Sequence, residues 1–229
     1  MATSSPDHAT DPAPARRGSV RIAWAVMALM SVLVASVSSR YVLGIGTVPG
    51  IVAANRFFDP WLALHAAAAA SALLVGPFQF LASIRARYPG LHRWAGRVYV
   101  AACLTGGVAG IWLAIGVSTG AVARYGFLAL AIIWLVSTAL ALRAVLKRDF
   151  AGHRRWMIRS FALTLAAVTL RIYLPTALFA GIDPTAAYPA IAWLCWVPNL
   201  AAAELYLSLI SGRHGSPRRS AISITNIIT

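Results

Sequence analysis

What most constrains this chain is a recurring apolar run. A hydrocarbon core about 30 Å thick is crossed by roughly 20 helical residues rising about 1.5 Å each. The first such run follows Arg16, Arg17 and Arg21 and continues to about Val37. The others are Trp61–Ile84, Arg93–Gly116, about Arg124–Leu142, Trp156–Ala180 and Pro189–Ile210. Turn signals separate them: Gly and Pro in Tyr41–Pro60, Pro89-Gly90, and Asp183-Pro184. The fold class read from this pattern is all-α, a polytopic transmembrane helical bundle with about six spanning helices. Composition agrees: 11% of residues are charged, against about 25% in soluble domains.

Residues 1–19 are rich in Ala, Pro, Ser and Asp, lack periodicity and read as a disordered tail. Residues 20–211 form the transmembrane domain and 212–229 a basic, polar cytoplasmic tail. A secretory signal peptide is the competing reading of the first run, because small residues follow at Ala35–Ser39. A retained helix is preferred, and Arg16-Arg17 lacks the rest of a twin-arginine motif.

The net charge of +14 does not imply nucleic acid, because the cations lie between apolar runs. They act as topology signals instead. Sixteen of the 20 Lys and Arg residues fall on one side, with both termini; Arg40, Arg56, Arg124 and the buried Arg171 fall on the other. The positive-inside rule makes the rich side cytoplasmic, in a bacterial inner membrane. Membrane lipids are then the expected partners. Trp24, Trp94 and Trp156 belong to the inner interface, and Trp61, Trp112 and Trp193 to the outer one. Cys103 and Cys195 lie inside apolar runs without metal-ligand spacing.

Three runs carry a stripe of polar and small residues at alternating spacings of four and three, which places each stripe on one helix face. They are His65, Ala69, Ala72, Gly76, Gln79, Ser83; His92, Gly96, Tyr99, Cys103, Gly106, Gly110; and His153, Met157, Ser160, Thr164, Ala167, Arg171. Such faces point at other helices, through plain packing or around a ligand. The first and fourth helices lack comparable groups and are expected at the periphery, around an inner bundle of the other four. His65, Arg171, Asn199 and Glu204 are expected to form a buried polar core, because a charge in lipid costs about 2.5–3.5 kcal/mol or more without a partner. By depth, Glu204 is nearer Arg159, and Arg171 nearer Asn199 and His65.

The histidines are the sharpest signal. His92 opens the third helix in LHRWAGRVYV and His153 the fifth in GHRRWMIR. These helices run in the same direction, so both imidazoles lie at the cytoplasmic end. Two such residues can hold a haem b iron from both faces. Arg93, Arg97, Arg154 and Arg159 could neutralise its propionates, and Gly96 would leave room for the ring edge. Met157 would line the same gap. His65 lies most of a bilayer away. The alternative is that each His-Arg pair anchors in lipid headgroups. No nucleophile–base pair or phosphate-cradling glycine loop appears, so no catalytic residue is assigned.

The segments HAAAAASALLVGPFQF, LHRWAGRVYV, HRRWMIRSFALT and LRIYLP resemble a bacterial membrane-protein family, domain of unknown function 2306, over about Trp61–Leu207. The resemblance implies a multi-helix inner-membrane protein and carries no reaction. A weaker likeness is to cytochrome b561-type proteins, whose third and fifth core helices hold one haem; the fourth helix here has no His to complete a second. Three functions are expected to compete: electron transfer through haem b with a quinone or other redox partner, a transporter or lipid-handling protein using the polar core, and a non-enzymatic scaffold.

Overall fold

The computed structural model describes residues 14–212 of the chain, with side chains from 18 to 211. The cytoplasmic tail and most of the N-terminal tail read from the sequence lie outside these residues. Helix is already present at Pro14, inside the segment read as a tail. All regular structure among the described residues is helical. Among the described residues, six helices are long and apolar enough to cross a bilayer: Gly18–Leu43, Trp61–Gln79, Pro89–Ile115, Ala121–Leu146, Phe150–Phe179 and Pro184–Ser211. They are called the first to sixth spans below. This is a multi-pass helical membrane protein.

The second span stops at Gln79, and Ala82–Arg87 forms a separate short helix. A helix end leaves carbonyls without intrahelical donors. Here the Pro77 carbonyl accepts the Trp24 indole N–H at 3.0 Å and the Phe80 amide at 3.3 Å. The sixth span breaks between Leu194 and Val197. Pro198 has no N–H to donate and crowds the preceding turn. In lipid the freed backbone must be satisfied by protein groups. The Cys195 carbonyl accordingly accepts from Asn199 Nδ2 at 3.1 Å and from the Thr169 hydroxyl.

The first four spans pack on one another in chain order. The fifth lies against the first, second, fourth and sixth, and the sixth closes against the fourth and fifth. The fifth span is therefore the centre of the bundle. The third and fifth are not close backbone neighbours; side chains bridge them.

The expected periphery is half right. The first span keeps much of one side exposed, with Val26, Leu29, Leu33 and Val37 uncovered. The fourth span is interior: it touches the third, fifth and sixth and buries Ala131, Trp134, Ser137, Thr138 and Ala141. Its polar contribution comes from a Trp N–H and hydroxyls rather than His or charge. Hydroxyls inside an apolar run can hydrogen-bond to their own helix and so leave little trace in the sequence.

Close approach decides where two stripes meet. A Cβ at Gly76 would stand 2.3 Å from Phe161 Cε2, so only glycine lets that ring of the fifth span lie on the second. At Gly106 a Cβ would meet the Trp134 ring at 3.2 Å and Ala68 at 3.3 Å.

Candidate functional site

At the arginine-rich end, His92 lies in the first turn of the third span and His153 in the first turn of the fifth. Proline at the first helical position starts the third span. The Asp149 carboxylate starts the fifth by accepting the Gly152 amide at 2.8 Å. His153 Nδ1 bonds the Ala141 carbonyl at 2.9 Å. A carbonyl only accepts, so Nδ1 carries a proton and Nε2 is the nitrogen left for another partner. His92 Nδ1 is buried and has no hydrogen-bond partner. The two imidazoles lie within electrostatic range of each other, with Arg85 and Arg93 also near His92.

The other residues expected around them are placed differently. Arg97 is exposed. Arg159 is committed elsewhere: its Nε and Nη2 donate to the two Glu204 carboxylate oxygens at 2.5 and 2.8 Å, and its guanidinium lies 4.6 Å from the centre of the Trp156 ring. A Cβ at Gly96 would meet only Gln79 Oε1, at 3.6 Å. Gly96 therefore opens toward the second span and not toward the fifth.

Two turns deeper than the histidines the stripes of the third and fifth spans meet. The buried Tyr99 hydroxyl lies 3.1 Å from Ser160 Oγ and 2.9 Å from Thr164 Oγ1. Trp134 Nε1 donates to Thr164 Oγ1 at 3.0 Å, and Thr138 Oγ1 lies 2.8 Å from Ser160 Oγ. Thr138 and Thr164 also bond carbonyls of their own helices, those of Trp134 and Ser160. Four hydroxyl hydrogens thus serve five hydroxyl contacts, so one contact lacks a hydrogen in any arrangement. Cys103, Met157 and Phe161 pack around this network. The interval between the third and fifth spans is filled at this level. Trp134 and Thr138 belong to this centre and were not singled out from the sequence.

The four groups expected to share one polar core are dispersed. His65 Nδ1 bonds the Gly106 carbonyl at 2.8 Å and packs on Gly110, holding the second span to the third. Arg171 donates to its own helix at Ala167 O, 3.0 Å, and to Ser38 Oγ of the first span at 2.8 Å. It remains within electrostatic range of His65. Asn199 does not reach it and serves the break at Cys195, also donating to Thr169 Oγ1 at 3.2 Å. Glu204 is not buried: its side chain is 48% exposed beside Arg159. Depth along a helix was readable from the sequence; the facing direction of each group was not.

The fold and these contacts define a six-span helical membrane protein with a polar centre and paired histidines at one end. The chain belongs to the predicted membrane protein family DUF2306, whose model matches residues 62–207. No curated protein and no solved structure matches it. The likeness to cytochrome b561-type proteins has no support among these comparisons.

Proposed function

We propose that this is an electron-transfer protein of the bacterial inner membrane, with both termini cytoplasmic, in which His92 and His153 hold a haem b. The observation carrying this reading is the buried, unpartnered Nδ1 of His92 within electrostatic range of His153. A buried polar atom without a partner costs about 1–3 kcal/mol, and a ligand that contacts Nδ1 itself, such as the iron or a propionate oxygen, would relieve it. The donor set fits: two histidine imidazoles are the common axial pair of b-type haem. The hydrogen bond from His153 Nδ1 to Ala141 O fixes its tautomer and ring orientation, as outer partners of metal-bound histidines do. When bound, the haem supplies one-electron chemistry. Arg85 and Arg93, within electrostatic range of His92, would face the anionic groups of the cofactor; a quinone would be its redox partner. The packed Tyr99 network below limits water entry from that side.

A purely structural role is the second reading, favoured by the closed hydrogen bonding at the centre. One experiment separates them. Protein purified from cells supplied with haem should give the reduced-minus-oxidised spectrum of a six-coordinate b-type haem. His92→Ala and His153→Ala should each abolish it, and His65→Ala should not. A colourless wild-type protein would establish the structural reading.

A further inference from the structure

The opposite end of the bundle carries positive charge that no ion pair among the described residues compensates. Arg40, at the end of the first span, donates Nη2 to Tyr41 at 2.9 Å and stacks 4.8 Å over that ring, but its Nε is buried with no partner. Among the described residues Arg171 donates to the Ala167 carbonyl and the Ser38 hydroxyl, and it lies within electrostatic range of Arg40. Among the described residues no ion pair joins a carboxylate to either arginine. Of the six acidic residues, Asp7 and Asp11 lie outside the described residues; Asp149 and Asp183 cap helices; and Glu204 pairs with Arg159. Asp59 is left, and no ion pair joins it to either arginine among the described residues. Charge held at membrane depth is expected to be paired.

Beside Arg40 there is a cavity of about 200 Å³, with Tyr41, Phe58 and Asp59 in its wall. Gly44 and Gly46, at φ 64° and 80°, fold the loop around it. We propose that this cavity is an anion site for a phosphate group, held by Arg40 with Arg171 behind it. A guanidinium matches phosphate oxygens in charge and in fork geometry. A neutral quinone would leave both charges uncompensated. The headgroup phosphate of a lipid and free inorganic phosphate share this chemistry. The apolar wall and the position at the end of a span suit the lipid.

The test uses the full chain in neutral detergent, followed by thermal melting. One arm titrates phosphatidylglycerol in mixed micelles. The other titrates sodium phosphate against sodium chloride at equal ionic strength. Anionic lipid also meets the arginine-rich end, so the decisive quantity is the difference between variants. Wild type should show a saturable rise in Tm. Arg40→Gln should weaken the apparent Kd about tenfold or more, the usual scale of a lost charge-assisted hydrogen bond. Asp59→Asn, which removes the repelling carboxylate, should tighten it. An Arg40-dependent rise in the lipid arm alone assigns the site to a headgroup, and one in the phosphate arm to the free anion. Equal Kd values in all three proteins, or no rise in either arm, would overturn the site. Should Arg40→Gln fail to fold, Asp59→Asn decides, and unchanged binding there refutes the proposal.

Discussion

Thr164 and Tyr99 belong to one network, yet their removal should have unequal consequences. Tyr99→Phe deletes one hydroxyl hydrogen and two of the five contacts, leaving three hydrogens for three contacts. Every remaining group is then satisfied, and the cost should stay under about 1 kcal/mol, near the average for hydrogen bonds between membrane helices. Thr164→Val instead strands the Trp134 indole N–H, which is buried and has Thr164 as its acceptor. That should cost about 1–3 kcal/mol. Denaturation of the two variants in the same detergent checks the ordering, and equal losses would contradict it. At this scale the sequence was partly legible. Tyr99, Ser160 and Thr164 recur at helical spacing and do meet. Arg171 finds Ser38, 133 residues away, a pairing no local pattern could announce.

Between elements, glycine sets how near two spans come. Gly76→Ala would place a methyl 2.3 Å from Phe161 Cε2, and overpacking of this kind costs about 1–3 kcal/mol. Phe161→Leu on the same chain should recover part of the loss by making room. Gly96→Ala, whose new methyl would meet only Gln79 at 3.6 Å, should be nearly silent. Melting temperatures of the three variants test this, and a severe effect at Gly96 would place another element against it. The importance of the second, third and fifth spans was readable, because small and polar residues recur on one face of each. That of the fourth was not. Its hydroxyls serve the centre from within an otherwise apolar run, where Thr138 bonds its own helix as well as Ser160.

Over the whole molecule, the distribution of cations predicts the orientation. Reporter fusions at Arg148 and at Arg219 should read cytoplasmic, and one at Gly120 periplasmic, since the topology read from the sequence assigns sixteen of 20 Lys and Arg residues to one side. A periplasmic reading at Arg148 would reverse it. The number of spans, their approximate limits and the charge asymmetry were set by the sequence alone. They follow from matching apolar length to a fixed bilayer thickness, which is a property of each segment by itself. The tertiary structure decided that the fifth span is central and the fourth interior, that Asn199 serves a helix break, and that His65 joins two spans; Arg159 and Glu204, already matched in depth by the sequence, do pair. Those outcomes depend on which faces can approach closely and which polar groups find partners away from water. Such choices are made by all six helices packing together, so no single run contains them.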